Sequence, residues 1–252
     1  MVTKENYFSL ENQMEYFGVS QFKSFMSCEA AALAEIKGEY EQEKTPALLV
    51  GSYVDAHFEG TLDIFQAKHP ELFTKQGELK SNYKQAENTI ARLERDDFFM
   101  QYMTGEQQKI MTGELFGVPW KIKIDSYHPG KAIVDLKIMK DFEPVWKDTE
   151  GRVPFIQAWG YDIQGFAYQA IEGNALPFFI AAATKEKVPN LEIWRVSQQQ
   201  LNVAGKIVEA YIDRFVDIKK GIIEPRRCGK CDYCKQTKVL TGVQIYEGSE
   251  NE

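Results

Sequence analysis

The feature that most restricts this chain is a change of period near its middle. Three apolar-rich segments, QQKIMTGELFG (107–117), VPWKIKIDSYHPG (118–130) and KAIVDLKIM (131–139), follow one another directly, divided at Gly117 and at the turn His128-Pro129-Gly130. In the second segment Trp120, Ile122 and Ile124 alternate with Lys121, Lys123 and Asp125, the two-residue period of a strand with one buried and one polar face. Three short strands are expected here, with Asp125 ending one of them.

On both sides the period is helical. Ser20 can cap a helix through QFKSFMSCEAAALAEIKG, with Gly38 as its stop. A second helix is expected over PALLVGSYVDAHFEGTLDIFQA and a third from about Ser81 to Met103. After the strands, PFIQAWGYDIQGFAYQAI reads as a helix, PFFIAAAT and LEIWRVS as strands, and SQQQLNVAGKIVEAYIDRFVDIKKG as a closing helix. The expectation is an α/β core, a small mixed sheet flanked by helices, with a helical N-terminal part. A chain of 252 residues can bury a substantial core. We expect one domain over residues 1–240 and a tail over 241–252, of which GSENE reads as disordered.

Hydrophobic content of 44% and charged content of 27% are ordinary for a soluble protein. No stretch is apolar enough to span a bilayer, and the first residues lack the apolar run of a signal peptide. A cytoplasmic location with no membrane partner is the expectation. The net charge of −7 does not advertise a nucleic-acid binder, but phosphate contacts need only a local basic surface, and metal sites gather carboxylates. Lys206, Arg214, Lys219, Lys220, Arg226, Arg227, Lys230, Lys235 and Lys238 could form that surface, or simply a solvated face.

Asp125 lies on one strand and Asp135-Leu136-Lys137 on the next, across a turn. In an antiparallel hairpin the two aspartates can meet at one end of the sheet, and the period of two puts Asp135 and Lys137 on one face. Hydrolysis of a phosphodiester uses such a set. Carboxylates hold one or two hard cations that bind the phosphate and acidify the attacking water, while an ammonium orients that water or offsets developing charge. The other reading is a surface hairpin with ordinary charges. His57, in GSYVDAHFEG, is either a packed, hydrogen-bonded histidine or a further metal ligand. Glu114 is either another acidic ligand or solvent-facing. Gln157, Tyr161, Gln164 and Tyr168, spaced by 4, 3 and 4 residues, would share one face of a helix. Such a stripe can contact phosphate and base, or line a core edge.

Taken in order, G-x-x-x-D-x-H, D, D-x-K and Q-x-x-x-Y resembles the RecB-like branch of the PD-(D/E)XK nucleases, and most of all the phage-type RecE-like exonucleases. The resemblance spans roughly Gly18 to Lys235. It implies a restriction-endonuclease-like core and a DNA exonuclease that uses Mg2+ or Mn2+ to resect double-stranded ends 5′→3′ for recombination. Such enzymes act beside a single-strand annealing protein, in some relatives as ring-shaped homo-oligomers. It implies His57, Asp125 and Asp135 as metal ligands, aided by the Leu136 carbonyl, with Lys137 assisting the water. Gln164 and Tyr168 would be the family's Q-x-x-x-Y, and Gln157 and Tyr161 a second fit that contacts DNA. CRISPR-adaptation nucleases share this chemistry, and a non-catalytic DNA-binding module could keep the fold.

The chain has four cysteines, three of them at 228, 231 and 234. Clustering of that kind points to a metal site before disulfides. Four thiolates bind Zn2+ tetrahedrally or hold an iron–sulfur cluster. The segment VSQFKSFMSCEAAALAE is similar to the opening of AddB-type nucleases. There one N-terminal cysteine joins three C-terminal ones around a 4Fe–4S cluster, which here implies Cys28 with Cys228, Cys231 and Cys234. The C-D-Y-C spacing is shorter than the family's usual gap.

Overall fold

The computed structural model describes residues 1–42, 45–148, 150–243 and 245, so the expected disordered GSENE lies outside the described residues. The N-terminal part is helical: α1 (Leu10–Glu15), α2 (Val19–Ser27), α3 (Glu29–Ile36), α4 (Pro46–Phe58), α5 (Leu62–Lys68), α6 (Ser81–Glu94) and α7 (Asp97–Met103). Then come β1 (Glu106–Leu115), β2 (Val118–His128), β3 (Ala132–Met139), and a small hairpin of β4 (Val145–Lys147) and β5 (Gly151–Val153). Helices α8 (Phe155–Ala158) and α9 (Tyr161–Glu172), strands β6 (Phe178–Thr184) and β7 (Leu191–Arg195), and helices α10 (Gln198–Lys219) and α11 (Asp232–Gln236) complete the fold.

Four helices expected to be continuous are each broken, for local reasons. Cys28 is extended (φ −159°, ψ 108°) and ends α2 while starting α3, whose predecessor begins after Gly18 rather than Ser20. Gly60, at φ +70°, separates α4 from α5. The Asp96 carboxylate takes the N–H of Phe99 at 3.0 Å and starts a new helix. Gly160, at φ +61°, divides α8 from α9. The hairpin β4–β5 and helices α1 and α11 are additions to what the period suggested.

The main sheet has the order β1-β2-β3-β6-β7. All neighbours are antiparallel except β3 and β6, which run parallel because α8 and α9 cross between them. This is the small mixed sheet flanked by helices. One face carries Trp120, Ile122, Ile124, Phe178 and Ile180 against residues of α2, α9 and α10. The other carries Val134, Leu136, Ala181 and Ala183 against α4, α6 and α7. Trp120, Ile122 and Ile124 are sealed from solvent, each burial stabilising by about 2 kcal/mol. Lys121, expected on the polar face, is also buried, its ammonium donating to the Asn12 carbonyl at 3.1 Å and to that of Tyr7.

The strand period slips at Asp125. Ile124 and Tyr127, three residues apart, belong to the same core, which an undisturbed strand forbids. Opposite the slip on β1 stands Gln108 at φ +53°, between the partners Gln107↔Ser126 and Lys109↔Ile124. The ladder between β2 and β3 holds only from His128↔Ala132 to Ser126↔Val134. Beyond it the strands part, and the fork so formed is where the charged residues collect.

Candidate metal and catalytic centre

At the mouth of the fork, Asp125 Oδ2 accepts the N–H of Leu136 at 2.9 Å, a donor that strand pairing would otherwise use. Its Oδ1 takes Gln108 Nε2 at 3.3 Å. Asp135 is 1% exposed. Its Oδ1 accepts Gln164 Nε2 at 2.5 Å, and the Lys137 ammonium lies against Oδ2 as an ion pair. That ammonium also donates to the Leu136 carbonyl at 3.2 Å. Burial pushes the Asp135 carboxyl up to about 7, and the nearby Asp125 carboxyl adds to this while Lys137 opposes it. Lys137 loses solvation too, yet Asp135, Asp125 and Asp55 together hold it protonated above the usual lysine range.

Asp55 is the residue that sequence reasoning passed over. It lies on α4 beside the fork, and burial followed by the charges of Asp125 and Asp135 drives its carboxyl well above the usual range. His57, two residues on and so on the far side of the helix, bonds Glu94 through Nε2 at 2.8 Å. The carboxylate of α4, not its imidazole, faces the aspartate pair. Glu59 follows Asp55 by one helical turn and ion-pairs Lys123 at 3.6 Å. An i, i+4 acidic pair after Gly51 was the signal available.

Glu114 is exposed and pairs in register with Pro119, six positions from Gln108 and hence roughly 20 Å along the strand from Asp125. It faces solvent and takes no part in the fork. The amide and phenol stripe is also divided. Gln157 sits exposed on α8, whereas Tyr161, Gln164 and Tyr168 belong to α9, because Gly160 turns the chain between them. Tyr168, buried, donates to the Lys123 carbonyl at 2.8 Å and so fixes α9 to β2. Tyr161 lies between two ammonium groups, Lys137 at 5.3 Å and Lys23 at 5.5 Å from its ring centre. Lys23 donates to the Trp159 carbonyl at 3.0 Å. Burial, then the charge of Lys137, lowers its ammonium to about 8. Lys23, Gln157 and Trp159 line a cavity of about 710 Å³.

The donor set of the fork suits a hard divalent cation: the carboxylate oxygens of Asp125 and of the buried Asp135, and the Leu136 carbonyl between Asp135 and Lys137. Asp125 and Asp135, aided by Leu136 and flanked by Asp55, would hold it.

The four cysteines form a second centre. Cys28, Cys228, Cys231 and Cys234 bring their sulfurs within 4.8 Å of one another, the only such group of Cys, His, Asp and Glu atoms among the described residues. The group could hold a metal ion. Backbone N–H groups of Lys230 and Cys231 point at Cys228 Sγ from 3.4 and 3.3 Å and lower that thiol to about 6. The basic run around it is partly structural. Arg214 forks onto Glu29 with two 2.7 Å bonds, Lys219 donates to the Gln13 and Tyr16 carbonyls, and Arg227 donates to the Cys234 carbonyl. No helix among the described residues is long and apolar enough to cross a membrane.

Residues 18–237 match the family model described as a PDDEXK-like domain of unknown function (DUF3799). The crystal structure of a protein from Eubacterium rectale, provisionally described as an exonuclease, is 48% identical to this chain. It superimposes with a TM-score of 0.94 over 97% of this chain and 96% of its own. Among curated proteins nothing matches the chain.

Proposed function

Because this chain belongs to the PDDEXK-like family, within the PD-(D/E)XK nuclease superfamily, we propose that it is a metal-dependent nuclease that degrades DNA from its ends. The observation that carries this reading is the fork: Asp125 is tied to the Leu136 N–H, and beside it the buried Asp135 carboxylate meets the Lys137 ammonium. Exonucleolytic action draws further support from the description of the Eubacterium rectale protein.

In this reading Mg2+ or Mn2+, when bound, neutralises the scissile phosphate and acidifies the attacking water. Asp125 and Asp135 hold the ion, with Asp55 completing the acidic wall. Lys137, kept protonated by the three carboxylates, supplies a positive charge and a hydrogen bond where negative charge develops on the phosphate oxygens. Gln164 orients Asp135 from α9, and Gln108 orients Asp125 from β1. Tyr168 keeps α9 in register with β2, so that Gln164 reaches its partner. Lys23, Gln157 and Trp159, which line the cavity, and Tyr161, whose ring lies under Lys23, would border the path by which a strand leaves.

The test uses linear duplex labelled at either the 5′ or the 3′ end, with covalently closed circles as control and Mg2+ present. Release of nucleotides from linear but not circular DNA, lost in Asp135→Ala, is expected. The labelled end that disappears first reports polarity, for which the resemblance implies 5′→3′. Adding the single-strand annealing protein tests coupling to recombination, and sedimentation tests assembly. Equal release by Asp135→Ala would refute the assignment.

A further inference from the structure

The sequence resemblance implies a 4Fe–4S cluster at the cysteines, and the sulfur spacing does not fit one. We infer that Cys28, Cys228, Cys231 and Cys234 bind a single tetrahedral Zn2+ ion, which clasps the junction of α2 and α3 to the C-terminal segment. Cys28 Sγ lies 3.6 Å and Cys228 Sγ 3.9 Å from Cys234 Sγ, and all four sulfurs fall within 4.8 Å of one another. Around one ion with Zn–S bonds of about 2.3 Å, a tetrahedron sets its sulfurs roughly 3.8 Å apart. A cubane cluster carries each thiolate outward from its own iron, with three other irons and the bridging sulfides between. Sulfurs already in near contact enclose room for one atom and exclude that core.

The local backbone is shaped for the same ligand. Gly229, at φ +72°, lets the chain turn between Cys228 and Cys231, so that two N–H groups aim at Cys228 Sγ. Cys231 caps α11, its sulfur accepting the N–H of Cys234 at 3.5 Å. Cys28 is extended because it belongs to neither flanking helix, and this turns its thiol toward the C-terminal trio. The neighbouring Glu29 carboxylate, held by Arg214, also accepts the N–H of Arg226 at 2.6 Å, and Ala30 donates to the Arg226 carbonyl at 3.1 Å. The two chain regions are therefore braced before any ion binds. Zinc is favoured over a single iron because Cys228 is exposed, and a d10 ion of fixed valence survives there.

This inference is independent of the nuclease reading, and its tests do not use DNA. The chain is produced without air in medium that supplies both iron and zinc. One zinc per chain, no acid-labile sulfide and no visible absorption are expected. Reconstitution with Co2+ should give the intense visible bands of a tetrahedral cobalt thiolate. Cys28→Ser and Cys231→Ser should each lose the zinc and expose residues after Ile222 to limited proteolysis. Iron with stoichiometric sulfide overturns the proposal, as does a single bound iron. Failure of the wild-type chain to bind either zinc or cobalt overturns it too, and none of these readouts depends on a variant's folding.

Discussion

Asp125 takes the place of a strand partner: its Oδ2 accepts the Leu136 N–H at 2.9 Å, at the point where the ladder between β2 and β3 ends. The carboxylate is thereby fixed by the backbone that carries Asp135 and Lys137 on either side of Leu136. Two negative groups are held together in this way at a site where Asp135 is almost wholly buried. A divalent cation would relieve that repulsion, and in the proposed function affinity for metal would be built from the mutual repulsion of the two carboxylates.

It follows that Asp135→Asn should separate folding from chemistry. Several kcal/mol of charge stabilisation at the phosphate disappear, and hydrolysis should fall by about a thousandfold. The amide fits the same space and keeps the shape of the fork. In calorimetry Mg2+ should raise the melting temperature of the wild type but not of the variant. Equal metal stabilisation of both proteins would remove Asp135 from the ligand set.

Helix α4 offers a direct contest between two neighbours. Asp55→Asn should reduce activity or metal affinity by about 10- to 100-fold. The exposed pair between His57 and Glu94 contributes at most about 1 kcal/mol to stability. His57→Ala should then leave the metal dependence of cleavage unchanged. A metal titration of each variant decides the matter, and a large loss in His57→Ala would restore the histidine as ligand.

Legibility in the sequence followed the length of the regular pattern. Strands β1 to β3 were visible because alternation and turn residues agree over more than thirty positions. Their fork was not, because the slip at Asp125 comes after the alternating run of Trp120, Ile122 and Ile124 has ended, and its partner is a glutamine in a conformation no pattern announces. His57 draws attention by residue type, since imidazole is a common metal ligand, while Asp55 in the same motif draws none. Two residues apart on α4, they lie on different sides of the helix, an angle that spacing alone supplies. The division of the Gln157 to Tyr168 stripe turns on Gly160, which a helix tolerates in general and here does not.

Gln108 combines a left-handed backbone with a hydrogen bond to Asp125, and its Oε1 is buried without a partner. Strain of that kind costs on the order of 1 kcal/mol. Gln108→Gly relieves it while removing the amide. We expect thermal stability to stay level or rise, and the Mg2+ concentration for half-maximal cleavage to rise about tenfold. Unchanged metal dependence would reduce Gln108 to a turn residue.

The ion pair between Glu29 and Arg214 ties α3 to α10. Burial opposes ionisation of Glu29, but the Arg214 guanidinium and the Arg226 N–H outweigh it, and the carboxyl falls below its usual range. A lowered carboxyl contributes stability that is present above the ordinary glutamate value and disappears as pH falls through the lowered one. Arg214→Met, which strands the carboxylate, should destabilise the protein at neutral pH. As pH falls through that lowered value the two proteins should converge. Urea midpoints at both pH values measure this, and a gap that persists in acid would mean the loss is one of packing.

On the proposed strand path, charge and stacking would come from different residues. Lys23 approaches Lys137 across the Tyr161 ring, and Trp159, whose carbonyl holds Lys23, is 51% exposed. An ammonium so placed neutralises one phosphate, and an open indole face accepts one base. Lys23→Gln should weaken binding of single-stranded DNA equally for all sequences and make the salt dependence shallower by about one ion. Trp159→Ala should lose about 1–3 kcal/mol while the salt slope stays as it was. Binding isotherms in Ca2+ at several salt concentrations give both quantities. If both variants change the slope alike, the two residues act through one shared structure, and the path does not run over the indole.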